Sequence, residues 1–322
     1  MKQDKSVVIV GLGIGKLYVD VCKLNAWNVI TVDLNPDAHA DFQNLHDALQ
    51  TTNVDMGIIC TPNYTHKSIA EEMALANVPV IVVEKPGFAN LQEWKDFYNT
   101  YPASKLFMVK NNQYRDILDT IQKQDIDLIQ LFWANKNRIP GAGSWFTDKS
   151  LAFGGVSRDL MPHLLSVVQK ILGHPIIDSD AADAGFASHY QQYDMSDVIN
   201  DSSYGNFNEH GIYDTDDCAY FACKSDDISI HCITTWKFEI DDDVIIWKFC
   251  MKDGSVNVFT AGLCPEIAYQ RMLQDYMNAD DETYKKHRSY DMELHRIFTN
   301  FIDTPLTTIL IKQILDANKN IS

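Results

Sequence analysis

The chain has 322 residues, 46% of them hydrophobic, and a formal net charge of −17 at pH 7. That length fits roughly two domains of ~150 residues each, and the apolar content can fill a sizeable core. The acidic balance argues against DNA, RNA and anionic membrane surfaces as partners, because each selects a basic face; it does not argue against a phosphate-bearing cofactor, which backbone N–H groups can hold.

No apolar run reaches the ~18 residues of a membrane span. The N-terminal MKQDKSVVIVG passes from a short polar lead into a strand pattern without a signal-peptide pattern. The seven cysteines (22, 60, 218, 223, 232, 250 and 264) are scattered and form no CxxC pair, as expected of reduced thiols in a cytoplasmic protein. Cys218, Cys223 and Cys232 could in principle share a metal, but small residues in strands are the simpler reading, and no metal is expected.

The first third alternates strand and helix. SVVIV (6–10) is an apolar run ending at glycines, and Ile14, Leu17, Val21 and Leu24 then fall at helical spacing. NVITVD (28–33) is a second strand, and Asn35-Pro36 reads as a helix cap with proline in the first turn. DMGIICT (55–61) is a third strand, followed by Ile69, Ala70, Met73 and Ala76 with helical period. PVIVVEK (79–85) is a fourth, Asn90 with Glu93 resembles a capping box, and KLFMVKN (105–111) is a fifth. Continuous apolar strands between helices predict a parallel sheet covered on both faces, a doubly wound Rossmann-type α/β domain over 1–120. Ligands of such sheets sit at the carboxyl ends of the strands.

The second half, 121–322, changes character. DIDLIQLFWA (125–134) is a strand, and from about 216 CAYFACK, ISIHCITTWKF, VIIWKFCMK and SVNVFTA follow with few helices between them. This predicts an α+β domain with a large, mostly antiparallel sheet. Residues 189–216 are polar and acidic, a loop over that sheet. PEIAYQRMLQDYM and MELHRIFTNFI, from about 265 onward, are helical.

GLGIGK (11–16) follows a strand and opens a helix, so Gly11, Gly13, Ile14 and Gly15 can bring backbone N–H groups to a pyrophosphate. The spacing is G-x-G-x-G, one residue short of the common dinucleotide loop. Asp33, 22 residues after Gly11, stands where a carboxylate would bind the adenosine ribose. No Arg or Lys follows in LNPDA, which favours NAD over NADP. The alternative is a glycine turn with no nucleotide. Thr61-Pro62-Asn63 could line a cofactor cleft or be an Asx-type turn opening a helix. Lys85 emerges from an apolar strand beside Glu84, either into a crevice or snorkelling to the surface, and Pro86 stiffens the backbone there.

In GGVSRDLMPHLLS (154–166), Asp159 and His163 stand four apart, so one helix would place them on one face. Leu160, Leu164, Val168 and Ile171 make an apolar stripe beside a polar one of Asp159, His163, Ser166 and Lys170. Pro162 requires the helix to start near Asp159 or to be distorted there. His163 could be a catalyst or a satisfied core or capping histidine.

The order GLGIG, Asp33, VDMGIICTPNYTHKSIAEEMALANVPVIVVEKPGFAN, Trp145, GGVSRDLMPHLL and ILG resembles the glucose–fructose oxidoreductase / inositol dehydrogenase / MocA (Gfo/Idh/MocA) family, over about residues 1–173. The resemblance implies an NAD(P)-dependent sugar or polyol dehydrogenase with an open-faced C-terminal sheet. It implies Lys85, Asp159 and His163 in the active site. Around the cofactor it places Gly11, Gly13, Asp33, Thr61, Pro62, Asn63, His66 and Glu84, with a cis bond before Pro86. Where the family often has Asp three residues after the histidine, this chain has Ser166. Asn112, Arg115 and Trp145 are candidate substrate contacts, the last equally a lid or interface aromatic. The family often pairs through its exposed sheet face, which predicts a homodimer or homotetramer.

The resulting expectation is a dehydrogenase in which His163 takes the hydroxyl proton, Lys85 stabilises the developing alkoxide and Asp159 holds a neighbouring hydroxyl or orients His163. Two alternatives remain open. One is a dehydrogenase or reductase of a nucleotide-linked sugar or a non-sugar carbonyl compound, disfavoured by the acidic 189–216 region. The other is a non-catalytic NAD(H)-sensing regulator, from which the Lys or His should be missing.

Overall fold

The structure is a computed structural model that describes residues 5–176, 182–188, 198–199, 208, 210–238 and 240–302. The chain divides into two compact units, one of residues 1–118 and 264–292 and one of 119–263 and 293–322.

The first unit contains β1 (Ser6–Val10), α1 (Gly15–Leu24), β2 (Asn28–Val32), α2 (Leu45–Thr51), β3 (Met56–Ile59), α3 (His66–Leu75), β4 (Val80–Val83), α4 (Leu91–Thr100) and β5 (Lys105–Met108). The strands form a five-stranded parallel sheet in the order β2-β1-β3-β4-β5. Every residue of β3 and β4 is buried, as strands covered on both faces require. Asn90 caps α4 by accepting Glu93 N–H at 3.1 Å, while the Glu93 carboxylate turns back to Ala89 N–H at 3.1 Å. Asn35 does cap, accepting Asp37 N–H at 3.0 Å. The predicted helix behind it, however, is only a 3-10 turn over Pro36–Ala38, ended by His39 in the left-handed region at φ 54°. The helix that follows β2 instead begins at Leu45, capped by Asn44.

Residues 264–292, grouped with the second half by sequence pattern, supply this unit with α8 (Glu266–Asn278) and the first part of a helix over Asp281–Ile297. Their side chains finish the outer edge of the sheet. In β5 the even residues point their backbone groups away from β4. Leu106 N–H donates to Tyr284 Oη at 3.3 Å, Met108 N–H to Asp291 Oδ2 at 3.1 Å, and Tyr276 Oη donates to Met108 O at 2.9 Å. Just beyond the strand, Lys110 N–H reaches Met272 Sδ. Lys110 Nζ is ion-paired with Asp291, both side chains being 0% exposed. Burial pushes the Lys110 ammonium down and the Asp291 carboxyl up. Met272, Leu273 and Tyr276 complete the core of Val7, Ile9, Ile58, Val82 and Phe107.

The second unit contains β6 (Ile126–Ala134), β7 (Ile139–Pro140), α5 (Lys149–Ala152), α6 (Val156–Asp159), α7 (Met161–Leu172), β8 (Ala182–Ala187), β9 (Val198–Ile199), β10 (Cys218–Ser225), β11 (Ile228–Thr235), β12 (Val244–Met251) and β13 (Val256–Ala261). Six strands form a sheet ordered β13-β12-β6-β11-β10-β8. Only the central β6–β11 pair is parallel; the rest is antiparallel. Leu164, Leu165, Val167 and Val168 of α7 are buried, and that helix packs on β6 and β11. Phe132, Tyr220, Ala222, Ile233 and Ile246 gather in a second cluster. Most of the acidic stretch 189–216 read as a loop lies outside the described residues, as does everything after 302. Among the described residues no helix is long and apolar enough to cross a membrane.

Removing one partner of a buried ion pair leaves the other charge stranded. Asp291→Ala should lower unfolding stability by about 3–5 kcal/mol, read as a fall in the urea midpoint. A Lys110→Met, Asp291→Leu double variant should recover most of that loss.

Candidate functional site

At the carboxyl end of β1, Gly11 adopts φ +89° and donates its N–H to Val32 O at 2.8 Å. A Cβ there would fall 2.8 Å from Cys60 O, so the fold itself demands glycine. At Gly15 a Cβ would approach Ile9 Cγ2 to 3.2 Å, the close contact that lets α1 lie on the sheet. Gly13 differs, because an added Cβ would meet no protein atom within 4 Å. Nothing in the fold asks for glycine at 13, whereas a pyrophosphate lying against the loop would. The exposed Ile14 follows, and α1 starts with no side-chain cap and no acidic residue in its first turn, which suits an anion.

Asp33, directly after β2, braces this loop. Its Oδ2 accepts Leu12 N–H at 2.7 Å and its Oδ1 accepts Asn35 N–H at 2.8 Å. The carboxylate is thus fixed beside the glycines at the end of the neighbouring strand, and the next residues, Leu34 and Asn35, carry no positive charge. Loop, helix start and carboxylate fit a dinucleotide with an unphosphorylated ribose.

The turns after β3 and β4 are tied together. Pro62 stands at the start of a 3-10 turn over Asn63–Thr65, and Asn63 is buried. Thr65 Oγ1 donates to Pro62 O at 2.7 Å and lies 2.6 Å from Thr61 Oγ1. His66 is 0% exposed, with Nε2 2.8 Å from Thr61 O and Nδ1 2.8 Å from Gly87 O. Both ring nitrogens face backbone carbonyls, so this imidazole links the two turns and is a strut beside the cofactor positions. Burial outweighs the two carbonyls and holds the ring down at about 4.

Glu84 is likewise turned inward. Its Oε1 accepts Tyr18 Oη–H at 2.5 Å and its Oε2 accepts Lys85 N–H at 3.1 Å. Burial and the Glu84 charge push the Tyr18 hydroxyl well above its ordinary range. Lys85 itself is half-buried, and the Lys85–Pro86 peptide is cis. After β5, Asn112 is buried and accepts Arg115 Nε–H at 2.7 Å. The carboxyl ends of all five strands therefore carry Gly11, Asp33, Thr61, Lys85 and Asn112 in one unit.

In the second unit the paired glycines have a local cause. Gly154 has φ +150°, and a Cβ on Gly155 would sit 1.8 Å from Asp216 O. That closeness lets buried Asp216 receive the start of α6: its carboxylate accepts Gly155 N–H at 2.8 Å, Ser157 N–H at 2.7 Å and Ser157 Oγ–H at 2.9 Å. Burial pushes this carboxyl up, against those bonds.

The expected single helix is two. α6 ends at Asp159, Leu160 interrupts, and α7 begins at Met161 with Pro162 in its first turn. Asp159 and His163 thus sit on either side of a break. Ser166, read as part of an outward polar stripe, is fully buried and donates its Oγ–H to His163 O at 2.8 Å. The His163 ring lies 5.4 Å from that of Trp133 at 35°. Asp159 Oδ2 accepts the indole N–H of Trp236 at 3.0 Å. Trp145 stands edge-on to Phe146 (5.2 Å), which lies against Trp236 (5.4 Å, 30°). Asp216, Trp133 and Trp236 escaped the sequence reading because nothing local distinguishes them from a loop acid and strand aromatics. Among the described residues no group of three or more His, Cys, Asp or Glu could hold a metal.

Residues 5–111 match the oxidoreductase family with an NAD-binding Rossmann fold, Gfo/Idh/MocA. Among curated proteins the chain is similar to a UDP-kanosamine synthase oxidoreductase subunit of Amycolatopsis mediterranei (strain S699), 27% identical over 132 residues. That match spans 39% of this chain and 37% of the relative. Among solved structures, GenD2 from gentamicin A biosynthesis, in complex with NAD, has a TM-score of 0.72 at 16% identity, covering 93% of this chain and 95% of that one. Levoglucosan dehydrogenase, in complex with NADH and levoglucosan, has a TM-score of 0.68 at 15% identity, covering 92% and 97%. At these identities the two structures establish a shared fold.

Two glycines should separate fold from ligand. Gly155→Ala should unfold or severely destabilise the protein, whereas Gly13→Ala should leave its melting temperature nearly unchanged. NADH affinity in Gly13→Ala, measured by fluorescence titration, should nevertheless fall at least about tenfold, equivalent to about 1.4 kcal/mol. His66 gives a pH signature. Its folded value of about 4 lies below the ordinary 6.5, so as pH falls the unfolded chain binds the proton first. Its contribution is complete above about 6.5 and declines between there and about 4, by on the order of 3 kcal/mol. Urea unfolding across that window should show a smaller pH-dependent loss in His66→Asn than in the native protein.

Proposed function

We propose that this protein, whose residues 5–111 match the NAD-binding Rossmann fold of the Gfo/Idh/MocA oxidoreductase family, is an NAD-dependent dehydrogenase acting on a hydroxyl-bearing carbon of a sugar or polyol. The observation that carries the reading is the glycine loop braced by Asp33, with no cation after β2 to receive a 2′-phosphate. NAD, when bound, supplies the hydride acceptor. In our reading Gly13, Ile14 and Gly15 present backbone N–H groups to its pyrophosphate, Gly11, whose own N–H is taken by Val32 O, gives the loop its turn, and Asp33 receives the ribose hydroxyls. Thr61, Pro62 and Asn63 line its path, with His66, Glu84 and Pro86 holding those turns in shape.

The chemistry assigned to the chain's own groups is proton transfer and charge stabilisation. His163 takes the substrate hydroxyl proton in oxidation and returns it in reduction. Lys85 donates to the reacting oxygen and stabilises the alkoxide as it develops. Asp159, fixed by Trp236, binds an adjacent hydroxyl or orients His163, and Asn112, Arg115 and Trp145 are assigned to substrate recognition. From the family resemblance we propose a homodimer or homotetramer, and from the scattered cysteines a cytoplasmic location.

The curated relative is named for a UDP-linked sugar, which gives nucleotide-linked sugars a place in the test as a second substrate class. A non-catalytic regulator has no support here, since Lys85 and His163 are both present.

The test is NADH formation followed by absorbance, with NAD and NADP offered separately against sugars, inositols, polyols, sugar acids and nucleotide-linked sugars. Activity with NAD on one class is the expected result. Lys85→Ala should lose turnover at least about a thousandfold while its NADH dissociation constant stays within about twofold, because the ammonium acts on the reacting oxygen. Loss of cofactor affinity on the same scale as loss of rate would remove Lys85 from that role.

A further inference from the structure

We infer that Trp236 is a positioning residue of the site, holding the Asp159 carboxylate in one orientation through its indole N–H. The inference rests on the reading of Asp159 as a site residue. Trp236 directly follows β11 and its backbone is held on both sides: its N–H donates to Asp217 O at 2.9 Å, and its carbonyl accepts Arg138 N–H at 2.7 Å. Its ring is 1% exposed and backed by Phe146. The indole has few ways to move, and its N–H can only donate. It meets Asp159 Oδ2 at 3.0 Å across 77 residues of sequence.

Asp159 is the last residue of α6, immediately before the Leu160 break. A bond from a fixed donor to one carboxylate oxygen sets the rotamer and the plane of the group, and with them the direction of the second oxygen. A hydrogen bond to an ionised acceptor is also roughly twice as strong as a neutral one. Phe146 couples this arrangement to Trp145, so the aromatic wall assigned to substrate and the carboxylate share one support.

Trp236→Phe keeps an aromatic ring and removes the donor. The expected result is a fall in kcat/KM of about tenfold with the KM for NAD unchanged. In an Asp159→Asn background the same change should cost less than about twofold, because the charged acceptor is already gone. A kcat/KM within twofold of native for Trp236→Phe, or an equal loss in both backgrounds, would overturn the inference. A second readout needs no turnover. In 15N-labelled protein the indole N–H signal that vanishes in Trp236→Phe should be displaced in Asp159→Asn. An unmoved signal overturns the inference even if the variants lose activity. A displaced signal with no compound oxidised by the native enzyme overturns the dehydrogenase reading instead, and the positioning role of Trp236 in that reaction with it.

Discussion

A backbone N–H taken out of water has to find an acceptor, and this protein meets that constraint repeatedly with a carboxylate from far along the chain. Asp33 takes Leu12 N–H across 21 residues, Asp216 takes Gly155 N–H across 61, and Asp291 takes Met108 N–H across 183. Each lies where regular pairing ends: a glycine loop, a helix start, the bare edge of a sheet. The first two shape the stretches that carry candidate site residues, so these local geometries depend on acids distant in sequence. A strongly acidic chain is, in part, one that uses carboxylates as structural acceptors.

The same view explains the two kinds of glycine. Gly11 and Gly155 are required because backbone from another segment comes too close for a side chain. Gly13 answers to no neighbour in the protein. Likewise His66 and Glu84, which belong to the cofactor-associated motifs, spend their polar atoms on the backbone and on Tyr18. They keep the turns after β3 and β4 in register with each other, so that Thr61 and Lys85 emerge in defined places.

Much of this was legible in the sequence. The strands at 6–10, 55–61 and 79–85 stand out because burial on both faces leaves the continuous apolar runs 7–10, 56–60 and 79–83 within them, and the Asn90–Glu93 cap is a purely local signal. What escaped has a common cause. The short α6 ahead of the break at Leu160, which Pro162 does signal, starts where Asp216 receives Gly155 and Ser157, and the stop after Ala38 depends on one left-handed residue. Trp236 and Trp133 became visible only when strands brought them beside Asp159 and His163. The amphipathic pattern of 264–292 announces helices but cannot say which sheet they cover.

That last segment bears on how the molecule comes into being. The five parallel strands leave the ribosome within the first 108 residues, yet the groups that close the outer edge, Met272, Tyr276, Tyr284 and Asp291, are made more than 160 residues later. Throughout that interval the nascent first unit carries an unfinished strand with open donors and acceptors, the kind of edge that recruits other chains. The intervening sequence encodes most of a second unit, so the first can be completed only after much of the second has been translated. Its maturation is therefore gated by translation time as well as by its own stability, and a pause or truncation late in the message would leave a nearly formed nucleotide domain exposed along one side.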